Sequence, residues 1–169
     1  MTTKTKHPMT LTLPSEREIL VTRVFDAPAR LIFEAHTQCE HLRRWIGPRS
    51  TTLAQCDNDF RPGGAYRFVY RNADGSEFAF HGEYREVVPY TRLVTTEVYE
   101  MEEYPDLEPA INTMTLEERD GQTTMTLSML YPTPEARDGA VQSGMEYGMR
   151  EGYERLDELA EMLAQPTSA

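Results

Sequence analysis

Long apolar runs, cysteine and tryptophan are all scarce in this sequence. Its 169 residues include two cysteines and one tryptophan. No segment approaches the ~20 consecutive apolar residues that a membrane-spanning helix needs. The stretch from Met1 to Pro14 also lacks the continuous apolar run of a secretion signal. These absences predict a soluble cytoplasmic protein that has no membrane among its partners.

Positive charge is scarce as well. The chain has 17 lysines and arginines against 28 aspartates and glutamates, which gives a formal net charge of -11. A protein with this charge repels phosphate backbones. Nucleic acid is therefore not an expected partner.

The two cysteines, Cys39 and Cys56, have neither the spacing of a metal site nor that of a disulfide framework. We therefore expect two reduced thiols in a reducing compartment. His36, His41 and His81 likewise lack the spacing of a His-Glu-x-x-His site, which predicts solvated histidines. No metal and no cofactor are expected.

The length fits one domain, which we place at residues 18–165 after a flexible tail of residues 1–17. The β-branched and aromatic run from Ile19 to Phe25 predicts a strand, and two short helices follow before Gly47. From Thr51 to Tyr131, extended segments alternate with short turns. Such turns predict six antiparallel strands, because parallel neighbours would need long crossovers.

A cap at Thr133, followed by proline, predicts a long helix that begins there and runs to about Leu163. One side of this helix is apolar and the other charged, with Asp157 on the charged side. Glycines recur every fourth residue, which predicts either close packing against strand backbone or space for a ligand; they are Gly144, Gly148 and Gly152. Together the elements form an α+β fold, with a curved seven-stranded antiparallel sheet packed on a long C-terminal helix.

Four segments and the final helix resemble one family in the same order. The segments begin with Val24-Phe25-Asp26-Ala27-Pro28, Trp45-Ile46-Gly47-Pro48, Phe60-Arg61-Pro62-Gly63-Gly64 and Gly82-Glu83-Tyr84-Arg85. They are similar to the SRPBCC or START-like superfamily and, within it, to the domain shared with the activator of the heat-shock-protein-90 ATPase. The resemblance implies a helix-grip fold with element order β-α-α-β6-α.

The resemblance and the apolar residues together predict a binding module for a small hydrophobic or aromatic molecule, held between the sheet and the C-terminal helix. Aromatic and methionine side chains are the expected lining. The candidate ligand-binding residues are Trp45, Tyr66, Phe68, Phe80, Met129, Met149 and Tyr153.

Two other functions stay open. A cyclase or hydrolase acting on an aromatic or polyketide-like substrate needs a polar cluster inside the grip, for which Arg67, His81, Glu83 and Tyr84 are candidates if they face inward. No catalytic residue is assigned. A co-chaperone-like protein is the other function, and the acidic surface suits a basic partner such as a chaperone. The oligomeric state, monomer or homodimer, is also open.

Overall fold

Eight strands and four helices form within residues 7–104 and 106–164, the part of the chain that the computed structural model describes. The strands are β1 (Thr10–Thr12), β2 (Glu18–Phe25), β3 (Thr52–Asn58), β4 (Ala65–Arg71), β5 (Glu77–Val88), β6 (Arg92–Tyr99), β7 (Ala110–Arg119) and β8 (Gln122–Leu130). The helices are α1 (Ala29–Thr37), α2 (Cys39–Trp45), α3 (Pro134–Gln142) and α4 (Met145–Ala164).

All strands join one antiparallel sheet in the order β1-β2-β8-β7-β6-β5-β4-β3. The α+β helix-grip prediction is confirmed, except that the sheet has eight strands instead of seven. The additional strand is β1, which pairs with β2 through Leu11 and Val21. It lies within the segment predicted as a tail, because a free edge of β2 offers backbone hydrogen bonds to it. Residues 1–6 of that tail lie outside the described residues.

The register shows which side chains face the helices. Along β2, Ile19, Val21, Arg23 and Phe25 are buried and alternate with less buried residues. Successive strand residues point to opposite faces, so these four share one face. Partner residues across neighbouring strands share a face as well, which extends the inner face from Ile19 to Met129.

The predicted long C-terminal helix is two helices in the structure. α3 ends at Gln142 and α4 begins at Met145, with Gly144 between them at φ +84°. This left-handed conformation suits glycine and ends a helix, which explains the break. Leu163, predicted on the buried side, is exposed.

Gly152 allows a close approach between α4 and the loop after α2. A Cβ atom at this position would lie 3.3 Å from the Gly47 nitrogen and 3.4 Å from the Trp45 carbonyl oxygen. Close packing therefore explains this glycine, although its neighbour is loop backbone and not strand backbone.

The core between α1, α2, α4 and the β2 side of the sheet is sealed from solvent. Phe25, Ile32, Leu42 and Leu156 have at most 1% of their surface exposed. Burying each such side chain contributes about 1.5–3 kcal/mol of hydrophobic stabilisation. We call this group, together with Met125, the closed core.

A buried ion pair ties β2 to α4. Arg23 is 2% exposed, and its guanidinium donates two hydrogen bonds to the Asp157 carboxylate. Asp157, predicted on the charged side of the helix, keeps 37% of its side chain exposed while its carboxylate binds Arg23. An arginine buried among apolar side chains needs such a partner, because an unpaired charge there would be costly.

A disulfide joins Cys39 at the start of α2 to Cys56 in β3. The packing of α2 against β3 brings their Cα atoms to 6.0 Å although the residues are 17 apart in sequence. The expectation of two reduced thiols was wrong, since sequence spacing does not report this tertiary contact. By the loop-closure argument, such a bond stabilises the fold by about 3 kcal/mol.

A candidate ligand-binding cleft

Several inward-facing side chains away from the closed core are only partly buried. On the sheet side these are Phe78 and Phe80 of β5, Glu97 of β6 and Asn112 of β7. Similar partial exposure is found where the chain leaves β8 and enters the C-terminal helices, at Tyr131, Val141, Met145 and Met149. We call these eight residues, which share partial exposure, the cleft.

The register places the sheet residues of the cleft on the inner face. Asn112 lies opposite Met129, which continues the inner face from β2. Thr95 lies opposite Asn112, and alternation along β6 then brings Glu97 to the same face. The inner face of β5 follows from the pairing of Phe80 with Tyr99.

Aromatic rings form one wall of the cleft. Tyr70 stacks on Phe78 with ring centroids 5.0 Å apart and contacts Phe80 edge-on at 6.0 Å. Phe80 also contacts Tyr99 at 5.3 Å. The wall offers both ring faces and ring edges to a bound molecule.

Glu97 is the acidic group of the cleft. Its carboxylate accepts a hydrogen bond of 3.3 Å from the Asn112 side-chain nitrogen. Burial raises the pKa of Glu97 to about 7, and the Asn112 hydrogen bond only partly opposes this shift. A carboxyl with such a pKa can accept or donate a proton at neutral pH.

Three tyrosines lie near enough to Glu97 to sense its charge. Burial raises the pKa of Tyr66, Tyr70 and Tyr131, and the charge of Glu97 adds to that rise in each case. Tyr66 donates a hydrogen bond of 2.5 Å to the Thr96 carbonyl oxygen. None of the described hydrogen bonds uses the hydroxyls of Tyr70 or Tyr131. Those two hydroxyls can therefore serve a ligand or water.

Gly82 makes the position of the Tyr66 hydroxyl possible. A Cβ atom on Gly82 would lie 2.7 Å from that hydroxyl and 1.9 Å from the Thr96 carbonyl oxygen. Only glycine leaves room for the phenol of β4 to reach across β5 to β6.

The seven predicted ligand-binding residues separate into core and cleft. Phe80 and Met149 are partly exposed in the cleft. The other five, Trp45, Tyr66, Phe68, Met129 and Tyr153, are buried.

Trp45 and Tyr153 stack at 5.9 Å beside the closed core, and the Trp45 indole donates a hydrogen bond of 2.9 Å to the Ala35 carbonyl oxygen. Tyr66 and Phe68 form a second pair at 4.9 Å. No ring contact links the two pairs within the described residues. Trp45 and Tyr153 therefore pack the core beside α1 and do not share the aromatic wall of the cleft.

The polar residues considered for catalysis lie on the outer face, except for Tyr84. Arg67 is 44% and His81 45% exposed, and both contact the Glu100 carboxylate. The Arg67 hydrogen bond, assisted by His81, lowers the pKa of Glu100 to about 2 despite partial burial. Glu83 is exposed.

Tyr84 is buried and donates a hydrogen bond of 2.5 Å to Asn58. The Tyr84 hydroxyl is therefore used in a structural hydrogen bond. The interior cluster of Arg67, His81 and Glu83 does not exist in this fold.

His36 was predicted to be solvated, but its ring makes contacts within the protein. This ring contacts Trp45 at 4.8 Å, its Nδ1 atom lies 2.7 Å from the Ile32 carbonyl oxygen, and burial lowers its pKa to about 4. Among residues 7–104 and 106–164, no three acidic, histidine or cysteine side chains cluster in a way that could hold a metal ion.

Sequence reasoning missed Glu97, Asn112 and the Arg23 ion pair. A signal for Arg23 was present, because it alternates with Ile19, Val21 and Phe25 in the first strand. Glu97 had only a weaker signal, as a single acid in a β-branched strand. Asn112 became notable only once its neighbours across the sheet were known.

A separate pocket lies between the N-terminal segment, β2 and α4. Its volume is about 380 Å³, and its lining includes Met9, Arg23, Arg150 and Glu154. None of the seven predicted residues lines it. Since Arg23 is held by Asp157 and Arg150 by Glu146, the two arginines are already paired.

The profile of the family described as Activator of Hsp90 ATPase homolog 1-like protein matches residues 26–161. The chain belongs to this family. The resemblance seen in the sequence is thereby confirmed, and the fold of this family is known for ligand binding. No functionally curated protein matches the chain.

Solved structures agree on the fold. A protein from Rhodobacter sphaeroides is 26% identical to this chain and superposes on it with a TM-score of 0.82. The match covers 92% of this chain and 99% of that protein. A Mycobacterium smegmatis protein is 24% identical, with 96% of this chain and all of that chain covered and a TM-score of 0.80. The AHSA1 protein from Silicibacter pomeroyi is 17% identical, with a TM-score of 0.71. The match covers 86% of this chain and 99% of that protein.

None of the helices in residues 7–104 and 106–164 combines the length and the apolar character needed to cross a membrane.

Proposed function

We propose that this protein binds a small hydrophobic or aromatic molecule in the cleft between the sheet and the C-terminal helices. The observation that carries the proposal is the contrast in burial between the cleft and the closed core. Phe80, Met145 and Met149 remain partly exposed, while closed-core residues such as Phe25 and Leu156 are sealed from solvent. Partly exposed apolar groups gain stabilisation when a ligand covers them.

The chemistry of the cleft supports a ligand with an apolar body. Phe78, Phe80 and Tyr70 supply a rigid aromatic wall. Met145 and Met149 pack against the core from the first turns of α4, and methionine side chains adapt their shape to a bound molecule.

Fluorescence titration with N-phenyl-1-naphthylamine, a neutral apolar probe, tests the proposal. We expect saturable binding at one probe per chain, and an affinity about tenfold lower in Phe80→Ala, because the variant removes one ring from the wall. Tyr147→Ala is the matched control, since this aromatic residue is 67% exposed on α4. Its affinity should equal that of the unchanged protein.

Absence of saturable binding, or an equal loss in both variants, would refute the proposal. Native mass spectrometry of protein purified from its own cells then identifies any small molecule that it carries.

Acid-base catalysis is a second candidate function, favoured by the pKa of Glu97 near 7 inside an apolar cleft. The cyclase or hydrolase hypothesis thus has Glu97 in place of His81 and Glu83. Incubation of the protein with its identified ligand separates the two functions. A carrier returns the ligand unchanged, whereas an enzyme returns a product that Glu97→Gln fails to form.

The family description and the net charge of -11 motivate a chaperone as a further partner. A pull-down at low salt, where attraction between opposite charges is strongest, tests this prediction. The cytoplasmic location was inferred partly from reduced thiols and stays a prediction, as does the oligomeric state.

A further inference from the structure

The Glu97 carboxylate has no positively charged partner among the described residues. Among those residues, the Glu97 carboxylate accepts one hydrogen bond, from the Asn112 amide, and forms no ion pair. An ionised carboxylate that is partly buried in apolar surroundings gains strongly from a cation, because screening by water is weak there.

Asn112 leaves a second acceptor in the same place. The Asn112 side-chain nitrogen donates to Glu97, and this is the amide orientation that the ionised carboxylate requires, because it can only accept hydrogen bonds. The opposite end of the amide, Oδ1, is buried and has no hydrogen-bond partner among the described residues. Buried acceptors are rarely left without a donor, so each such atom calls for an explanation.

We infer that Glu97 and Asn112 bind the ammonium group of an apolar or aromatic amine whose body lies against the ring wall of the cleft. The inference rests on the proposed function and names the class of ligand. An ammonium group offers three donors and a positive charge, which satisfies the Asn112 Oδ1 atom and the carboxylate together.

The surroundings favour a cation over an anion. Tyr70, whose hydroxyl senses the charge of Glu97, belongs to the aromatic wall, and aromatic faces attract cations. The net charge of -11 raises the local concentration of cations and opposes acidic ligands. A fatty acid or another carboxylate would meet Glu97 as a like charge.

Three probes of nearly equal shape test the inference. They are 1-naphthylmethylamine, 1-naphthalenemethanol and 1-methylnaphthalene, which end in an ammonium, a hydroxyl and a methyl group. Each competes with N-phenyl-1-naphthylamine at pH 8, where the first probe is protonated and Glu97 is mostly ionised. We expect the amine to bind about tenfold more tightly than the methyl compound, since a charge-assisted hydrogen bond is stronger than a neutral one.

Glu97→Gln should abolish this preference and leave the affinity for 1-methylnaphthalene unchanged or higher. Asn112→Leu is a second variant and should reduce the preference as well. Glu83→Gln, the same chemical change at an exposed residue of the outer face, should keep it. Thermal unfolding of each ligand-free variant confirms that it is folded.

The possible outcomes separate the two proposals. Equal affinity for all three probes, or tightest binding of the alcohol, overturns the amine assignment and leaves the apolar cleft intact. Loss of binding for every probe in the unchanged protein overturns the proposed function itself. An amine preference that survives in Glu97→Gln also overturns the assignment.

Discussion

The strand residues of the closed core and of the cleft share the inner face of one sheet, yet the two regions are built differently. In the closed core, Phe25, Met125 and Leu156 are sealed by helices packed from several directions. In the cleft, Phe80 and Met149 keep part of their surface open. The closed core therefore supplies stability, and the cleft retains apolar surface that only a bound molecule would cover.

The polar groups of the two regions follow the same division. The buried Arg23 is satisfied by Asp157 inside the protein. In the cleft, Glu97 lacks a cation among the described residues and Asn112 keeps an acceptor without a donor. Satisfied buried charge is typical of structural contacts, whereas buried polar groups without a partner call for a functional explanation.

The largest expected difference between the regions is in the cost of truncating an apolar side chain. Leu156→Ala should lower the free energy of unfolding by about 4 kcal/mol, because it leaves a cavity in a packed core. Met149→Ala should cost about 1 kcal/mol, since its site is already partly open. Urea unfolding of both variants measures the difference. Equal losses would mean that the cleft is part of the packed core.

Removing one partner of the buried ion pair should have the next largest effect. Asp157→Ala should cost about 3 kcal/mol, because it leaves the Arg23 charge buried without its carboxylate. Glu158→Ala, which breaks an exposed pair with Arg49, should cost less than about 1 kcal/mol. The comparison is made by urea unfolding at neutral pH. If the double variant Arg23→Met with Asp157→Leu does not recover stability, charge burial is not the cause.

The smallest of the three effects concerns the cleft alone and depends on pH. The pKa of Glu97 is about 7 in the folded protein and near its usual value of 4.5 in the unfolded chain. Between these values the unfolded chain binds fewer protons, so this residue lowers stability as pH rises from about 4.5 to 7. Glu97→Gln should therefore be more stable than the unchanged protein by about 2 kcal/mol at pH 8, less than the ~3.4 kcal/mol of the full pKa shift because partial exposure screens the charge.

The same pair of proteins should differ little at pH 4.5, where Glu97 is largely protonated in the folded state. Urea unfolding at pH 4.5, 6 and 8 provides the measurement. Glu83→Gln should show no such pH-dependent gain, because Glu83 is exposed. A constant difference between Glu97→Gln and the unchanged protein would contradict the assigned pKa.

Much of the fold could be predicted from local patterns. The alternation in β2 and the turn signals between strands act over a few residues, and the sheet follows from them. The break at Gly144 was within reach of the same reasoning, because glycine favours the left-handed conformation that ends α3. It was missed because the apolar pattern continues across it.

The candidate site was less predictable. The seven residues predicted to bind a ligand stay a prediction, and two of them, Trp45 and Tyr153, are buried and stack on each other in the core. Whether an inward side chain is sealed or open depends on which helix lies above it. No pattern along one strand contains that information.

By itself the sequence determined the order of elements, the antiparallel sheet and the family, because these depend on short-range periodicity and turn chemistry. Only the tertiary structure decided that Cys39 meets Cys56, that Arg23 meets Asp157, and that Glu97 lies inside the grip with Asn112. Each of these contacts joins residues from different elements. Their chemistry therefore arises from how those elements pack and not from the spacing of the residues along the chain.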